Sequence, residues 1–332
     1  MSQIKRGVSL YSFQHEYAVK KMSLEDIFRA LKEMGAQGVE ILSDQMIHGA
    51  PHPKTETVAM WKGLMEGYGL EPICNDIFVN STLYRNRRLT IPEQVELLKD
   101  ELRNARVLGF SMARLVSNTD VRLIEPVLPL AEDLGVTMAL EIHAGMSFTG
   151  DLTREYLDLM KKRNHPLLGL VLDMGILCAR HPRVATAYFH QFSLSDAVVD
   201  YVDAIFASGS DPLRAFQGQM IPDDVRPLLK NKNDEEYIIF SSGYENTPLS
   251  DLDEWLPYIK SIHGKCYEMT VDNREYSICY PEIIAYLKEK GWSGYIATEY
   301  EGNRFVPLDC EVNALEQVGR HQEMLKELCG EG

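Results

Sequence analysis

The stretch MALEIHAGMSF, residues 138–148, joins an apolar run directly to Glu141 and His143 and then turns at a glycine. Continuous apolar strands are typical of a parallel sheet that is covered on both faces. Three later runs also lead from apolar residues into a carboxylate or an imidazole: GLVLDMG (169–175), YIKSIHGK (258–265) and GYIATEYEG (294–302). These four runs predict buried parallel strands that carry polar side chains where they end.

Four similar runs come earlier, and segments with helical periodicity separate all of them. The earlier runs are GVSLY (7–11), GVEIL (38–42), EPICND (71–76) and ARLV (113–116). Helix starts are indicated by Ser23, an N-cap residue type, and by the capping-box pattern of Thr90 and Glu93. Eight strand–helix units in 332 residues predict an α/β protein with a (β/α)8 TIM barrel, one domain over residues 1–332. A doubly wound sheet is the alternative, but no GxGxxG motif follows the first run.

The spacing of the units is interrupted once, between the sixth and seventh strands. Asp173 and His263 lie 90 positions apart, whereas Glu141 and Asp173 lie 32 positions apart. Because a βα unit needs about 30 residues, we expect an inserted helical and loop segment at about residues 190–252, on the catalytic face. Long excursions of this kind are typically lids, specificity elements or partner-docking surfaces. A decorative helical insertion is the alternative.

The composition argues against several classes of partner. The chain has 34 Lys and Arg residues against 49 Asp and Glu residues, a net charge of −15. That balance disfavours nucleic acid and anionic membrane surfaces. No run is apolar and long enough for a signal peptide or a membrane span. The six cysteines are scattered without a CxxC pair, as expected of reduced thiols. We therefore expect a soluble, cytoplasmic protein.

The ends of the last four predicted strands indicate a metal site. Glu141, Asp173, His263 and Glu299 occupy these ends, and the carboxyl ends of barrel strands form the active-site face. A strand-end glutamate alone is more often a cap or an ion pair, but four ligand types in register favour a metal. The oxygen-rich set predicts a divalent cation, Mn²⁺ first, with Mg²⁺, Co²⁺ and Zn²⁺ as alternatives.

Three ligands are followed, two positions later, by a second ionisable residue on the same face of the strand. His143 follows Glu141 and is the candidate catalytic base; the alternative is a hydrogen-bond donor that orients a ligand carboxylate. Lys265 is a candidate substrate-binding residue, or it only neutralises the ligand carboxylates. Glu301 is a second such candidate, with an ion pair to Lys265 or Arg304 as the alternative.

The motifs LEIHAG, LVLDMG, IHGK and ATEYEG resemble, in order and spacing, the ligand-bearing strand ends of the xylose-isomerase-like TIM barrels. The resemblance implies a divalent metal that holds two vicinal oxygens of a sugar while a nearby base removes a carbon-bound proton. Three positions depart from the pattern of the family's ketose 3-epimerases. Ile176 replaces a histidine, Ser147 replaces a catalytic glutamate, and Met269 replaces an arginine.

The Glu-x-His pair, the insertion and the ending EYEG look most like the large subunit of C-glycoside deglycosidases. That resemblance implies a 3-oxo-C-glucoside of a flavonoid or phenolic as substrate and a small β-sandwich partner subunit. It implies removal of the C2 proton by His143, followed by elimination of the aglycone. The alternatives are a sugar isomerase, an epimerase or an inosose-type dehydratase. A multi-zinc endonuclease and a non-catalytic scaffold subunit are disfavoured.

Overall fold

Eight parallel strands close into a barrel that the helices surround. The computed structural model describes residues 3–146, 148–306, 310–311 and 313–330. The strands are β1 (Ile4–Ser9), β2 (Gly38–Ile41), β3 (Glu71–Ile77), β4 (Met112–Leu115), β5 (Thr137–Ile142), β6 (Leu168–Asp173), β7 (Ile259–Cys266) and β8 (Gly294–Tyr300). Each strand pairs with its neighbour in sequence order, and β8 pairs with β1. The predicted (β/α)8 TIM barrel is confirmed.

Helices occupy most of the connections between the strands. In the described residues they are α1 (Gln14–Ala18), α2 (Leu24–Glu33), α3 (Ser43–Met46), α4 (Thr55–Tyr68), α5 (Ile91–Leu108), α6 (Ile124–Leu134), α7 (Asp151–Arg163), α8 (Arg183–His190), α9 (Asp196–Ala207), α10 (Pro212–Ala215), α11 (Lys232–Ser241), α12 (Tyr280–Glu289) and α13 (Ala314–Cys329). Ser23 and Thr90 cap α2 and α5 in capping boxes, as their sequence patterns predict.

The first strand lies earlier in the chain than the sequence pattern predicts. Residues 7–11 were the expected strand, but β1 begins at Ile4 and a 3-10 turn begins at Leu10. The basic residue Arg6 hides the start of the strand from a hydrophobic pattern. Arg6 is nevertheless buried, because its guanidinium donates to the carbonyl of Gly35 and to the side chain of Gln322.

Residues of α13 hold the two closing strands, β1 and β8, together. The Nε2 group of Gln322 donates to the carbonyl of Gly7 at 2.8 Å and to Oγ1 of Thr298 at 2.6 Å. The same Oγ1 atom lies 2.8 Å from Nδ1 of His321. Burial disfavours a charged imidazole and lowers the pKa of His321 to about 3. The closure of the barrel therefore includes a neutral histidine.

The interior of the barrel changes from apolar to charged along its axis. An apolar layer contains Ile73, Cys74, Met112, Ala139, Val171 and Ala297. Two positions beyond the last three members of this layer, the same strands carry Glu141, Asp173 and Glu299. Because side chains two positions apart share a face of a strand, these carboxylates point into the barrel at its carboxyl end, where TIM-barrel active sites lie.

Residues 174–258, between β6 and β7, contain α8 to α11. The end of this segment lies against the loops that follow β5 and β6. The backbone N–H of Gly145 donates to Oε1 of Glu245 at 2.8 Å, and the N–H of Thr247 donates to the carbonyl of Ile176 at 2.9 Å. Residues 245–247 are therefore placed beside the carboxyl ends of the strands. That residues 190–252 form an insertion stays a prediction.

We expect His321→Gln to make the stability of the protein less dependent on pH. A histidine with a pKa of about 3 in the fold and about 6.5 when unfolded binds fewer protons in the folded state. It therefore makes the free energy of unfolding decrease as the pH falls from about 6.5 towards 3. Its removal should reduce the slope below pH 6 by up to about 1.4 kcal/mol per pH unit.

Urea denaturation at several values between pH 5 and pH 7 measures that slope. His48→Gln is the matched control, because His48 is exposed. An unchanged slope in His321→Gln would show that the pKa of the His321 imidazole is the same in the folded and unfolded states.

Candidate metal centre

Four side chains converge at the carboxyl ends of β5 to β8. Glu141, Asp173, His263 and Glu299 are each at most 3% exposed. One ligand atom from each residue lies within 4.8 Å of the ligand atoms of the other three. These are the four residues that the sequence analysis assigns as metal ligands, and the fold brings all four together. Such a set of carboxylate oxygens and an imidazole nitrogen can hold a divalent cation.

Glu40, on β2, sets the orientation of His263. The Nε2 atom of His263 lies 3.1 Å from Oε1 of Glu40, and Nδ1 lies 2.9 Å from Oε1 of Glu141. A metal-bound histidine usually donates its other ring N–H to a carboxylate. A proton on Nε2, donated to Glu40, leaves the lone pair of Nδ1 directed towards the cluster. This arrangement assigns Nδ1 as the ligand atom.

In the metal-free cluster a proton competes for the same nitrogen atom. Burial lowers the pKa of His263, but Glu40, Glu299 and Glu141 outweigh burial and raise that pKa well above its usual value. Metal binding at Nδ1 must therefore displace a proton.

Lys265, two positions after His263, bridges three carboxylates in the barrel mouth. Its Nζ atom lies 2.9 Å from Asp173, 2.6 Å from Glu299 and 2.8 Å from Glu301. Burial alone lowers the pKa of Lys265, but these carboxylates raise the pKa well above its usual value. Lys265 is therefore charged and pairs with candidate ligand carboxylates, and a role of Lys265 in substrate binding stays a prediction.

Glu301 forms both of the ion pairs that the sequence analysis considers. It lies 2.8 Å from Lys265 and 2.6 Å from Nη1 of Arg304, and it accepts a hydrogen bond from the hydroxyl of Tyr11 at 3.4 Å. Lys265 and Arg304 hold the pKa of Glu301 below its usual value although burial raises it. A role of Glu301 in substrate binding stays a prediction.

His143 lies at the edge of the cluster with an orientation that its own backbone fixes. Its Nδ1 atom lies 2.8 Å from the carbonyl oxygen of Ala144, and its Nε2 atom lies 3.7 Å from Oδ2 of Asp173. Because the carbonyl can only accept, Nδ1 carries the proton and Nε2 carries the lone pair. Burial lowers the pKa of His143, but the carboxylate of Asp173 outweighs burial and raises the pKa above its usual value. The imidazole is 34% exposed, so a ligand can reach it.

The sequence analysis missed three charged residues of the centre, on β2, β3 and β4. Besides Glu40, these are Asp76 and Arg114. The guanidinium of Arg114 donates to Oδ1 of Asp76 at 2.8 Å and to Oε2 of Glu141 at 3.3 Å. Arg114 and His263 keep the pKa of Glu141 below its usual value, although burial raises it. A signal was present, since Glu40 and Arg114 interrupt runs predicted to be buried strands and Asp76 ends such a run.

The charge balance of the centre fits a divalent cation. In the described residues its buried carboxylates are Glu40, Asp76, Glu141, Asp173, Glu299 and Glu301, and its buried cations are Arg114, Lys265 and, while no metal is bound, the protonated His263. Oδ2 of Asp173 and Nδ1 of His263 form no hydrogen bond of acceptable geometry within the described part of the chain, although an ion-pair partner lies 2.9 Å from each. Surplus negative charge and unused ligand atoms are what a bound Mn²⁺ or Mg²⁺ would satisfy.

A cavity of about 210 Å³ opens at the cluster. Its charged walls are Arg114, Glu141, His143, Lys265, Glu299, Glu301 and Arg304. We call this space the charged cavity. Two of the positions that depart from the ketose 3-epimerase pattern, Ile176 and Met269, are buried apolar residues outside its walls. Ser147 lies outside the described residues.

The barrel, with candidate metal ligands at its strand ends, indicates the class of protein. Residues 28–328 match the model of the xylose isomerase-like TIM barrel family, and the chain belongs to that family.

Curated relatives narrow the resemblance. The chain is 27% identical to a C-glycoside deglycosidase alpha subunit of Arthrobacter globiformis, over 90% of this chain and 84% of that protein. It is 26% identical to a 3'-dehydrocarminate deglycosidase alpha subunit of a Microbacterium species, over 98% of this chain and 95% of that protein. The predicted resemblance to large subunits of C-glycoside deglycosidases is confirmed.

Solved structures agree with the fold. A D-psicose 3-epimerase of Clostridium cellulolyticum superposes with a TM-score of 0.57 at 13% identity, covering 97% of this chain and 98% of that one. A sugar phosphate isomerase/epimerase of Parabacteroides distasonis has a TM-score of 0.55 at 13% identity, covering 98% of this chain and 94% of that one. The family and the curated relatives confirm the prediction that the chain is an enzyme. None of the helices in the described ranges has the length and apolarity that a membrane crossing needs.

Replacement of Glu40 tests how the centre holds His263. We expect Glu40→Leu to weaken Mn²⁺ binding about 10- to 100-fold, because leucine cannot accept the Nε2 proton and the ring loses its orientation. Glu40→Gln keeps an acceptor and should lose less. Isothermal titration of the metal-free protein with Mn²⁺ measures the dissociation constant. Glu33→Gln, at an exposed position, is the control, and wild-type affinity in Glu40→Leu would exclude this role.

Proposed function

We propose that this chain is the metal-binding, catalytic subunit of a C-glycoside deglycosidase that acts on 3-oxo-C-glucosides of phenolic aglycones. The observation that carries the proposal is the orientation of His143. Its Nε2 atom lies at the charged cavity, 3.7 Å from Oδ2 of the candidate metal ligand Asp173, and its Nδ1 proton is held by a carbonyl. That is the arrangement of a general base next to a metal-bound sugar.

The carbon–carbon bond between a sugar and an aryl ring resists hydrolysis, but a ketone at C3 makes the neighbouring C2 proton acidic. A divalent metal held by Glu141, Asp173, His263 and Glu299, Mn²⁺ in our proposal, supplies Lewis acidity for the negative charge that develops at the sugar oxygens. His143 takes the C2 proton on Nε2. The electron pair left at C2 forms the C1–C2 double bond, the bond from C1 to the aryl carbon breaks, and the aryl carbon takes up a proton.

The other charged residues of the cavity hold the reacting groups in place. The carboxylate of Asp173 favours the protonated imidazole that the first step creates. Lys265 keeps three carboxylates ionised and in position, since its Nζ atom lies within 2.9 Å of each. Arg304 and Glu301 form an ion pair at the rim of the same cavity, where sugar hydroxyls would contact them. We propose that Lys265 and Glu301 also bind the sugar.

The names of the curated relatives support a partner subunit, because both are alpha subunits. We propose that this chain assembles with a small β-sandwich subunit, and that the complex works in the cytoplasm. Native mass spectrometry of the enzyme isolated from its source cells would detect such a complex as a mass that exceeds a whole-number multiple of the 37.8 kDa chain by the mass of a second polypeptide. Recovery of this chain only as itself or as whole-number multiples of its own mass would contradict the partner.

The proposal is tested by deuterium exchange at C2 of a 3-oxo-C-glucoside in D₂O, with the purified chain, Mn²⁺ and its partner. Exchange with release of the aglycone is expected. A chelator should abolish both, and excess Mn²⁺ should restore them. Exchange into a free ketose, with none at C2 of the glucoside, would instead assign the chain to the sugar isomerases and epimerases.

His143→Ala should reduce the exchange rate about 10²- to 10⁴-fold, the usual contribution of a positioned base. The variant should bind Mn²⁺ as the wild type does, since His143 is not among the four ligands. His165→Ala is the matched control, because His165 pairs with Glu132 away from the charged cavity. Undiminished exchange in His143→Ala would remove this histidine from the mechanism.

A further inference from the structure

A second cavity, also of about 210 Å³, adjoins the charged cavity. The two spaces share three wall residues, which are His143, Glu301 and Arg304. A ligand that spans both passes directly beside the imidazole of His143. Together the two spaces reach the roughly 300–1,000 Å³ of a typical small-molecule site.

The other walls of the second cavity are mostly aromatic, and we call it the aromatic cavity. Its rings belong to Phe240, Tyr244, Tyr267 and Phe305. Ring centroids lie 5.3 Å apart for Phe240 and Tyr244, 5.6 Å for Tyr244 and Tyr267, and 5.3 Å for Phe240 and Phe305, all edge to face. Packed against one another in this way, the rings form a rigid wall that a flat aromatic group can contact.

The aromatic cavity also offers polar groups to a ligand. Neither the hydroxyl of Tyr244 nor that of Tyr267 forms a hydrogen bond within the described part of the chain. Buried tyrosine hydroxyls usually find a partner, and both residues are at most 5% exposed. Two unused phenol hydroxyls in an aromatic cavity match a ligand that carries phenolic hydroxyls of its own.

We propose that the aromatic cavity binds the phenolic aglycone and that Phe240 and Tyr244 determine which aglycones are accepted. The inference rests on the proposed function, because the bond that breaks joins the aryl ring to C1, next to the C2 atom that His143 deprotonates. With the sugar in the charged cavity, the wall that His143 shares gives the aryl ring a direct path into the aromatic cavity. Phe240 and Tyr244 belong to the predicted insertion at residues 190–252, which is thereby a specificity element.

The test compares two separate probes, a free polyhydroxylated flavone and 3-oxo-D-glucose, titrated into the full chain loaded with Mn²⁺. Tyr244→Phe removes only a hydroxyl, and Phe240→Leu removes a ring but keeps an apolar side chain. We expect Tyr244→Phe to weaken flavone binding about three- to tenfold and Phe240→Leu about tenfold. The affinity for 3-oxo-D-glucose should stay within about twofold of wild type.

Tyr188→Phe is the matched control, because its ring contacts Phe305 at 6.2 Å without lining the cavity. Unchanged flavone affinity in both folded variants, or an equal loss for flavone and sugar, would overturn the proposal.

The failure of the proposed function has a different signature. Suppose that the variants weaken flavone binding as expected but the wild-type enzyme exchanges no C2 proton. The aromatic cavity is then a binding site for phenols, and the proposed deglycosidase function is wrong. If the wild type exchanges the C2 proton and the variants bind flavone with wild-type affinity, only the assignment of the aromatic cavity as the aglycone site is wrong.

Discussion

The mutual repulsion of the carboxylates buried in one barrel mouth is the constraint on which the rest of the centre depends. Parallel strands of a closed barrel end in one ring, so acidic residues at several strand ends cannot separate. Two buried cations, Arg114 and Lys265, lie between them and contact two and three carboxylates respectively. The loss of either cation would leave buried charges unpaired, which is far costlier than losing an exposed ion pair. A divalent cation held by the cluster would offset part of the negative charge that remains.

Much of the fold and of the candidate metal site could be predicted because both have a signature that is local in the sequence. A continuous apolar run that ends in a carboxylate or an imidazole indicates both a buried parallel strand and the end of that strand. Four such runs sufficed to place Glu141, Asp173, His263 and Glu299 at one mouth, and the i, i+2 rule added His143. The structure brings these residues together.

The remaining features depend on contacts that sequence patterns do not contain. Glu40 and Arg114 lie inside their strands. The sequence pattern of a strand does not give the position of its residues along the barrel axis relative to the barrel mouth. The parallel register that brings Glu40 to His263 is set by the whole barrel. The aromatic cavity is formed by segments more than 20 positions apart in the chain, and its rings resemble ordinary core residues in the sequence. The early start of β1 was hidden by a basic residue that tertiary contacts satisfy.

The hydrogen bond from Gly145 to Glu245 has a consequence for motion. Gly145 belongs to the loop that carries His143, and Glu245 is bonded covalently to Tyr244, so the imidazole and the aromatic ring are parts of one linked unit. Glu245 is fully buried, and its carboxylate also accepts a hydrogen bond from the hydroxyl of Thr247. These contacts restrict the movement of Glu245 relative to Gly145. We therefore expect the fluctuations of the two groups to be correlated. A ligand that orders the ring should then also narrow the range of orientations open to the imidazole.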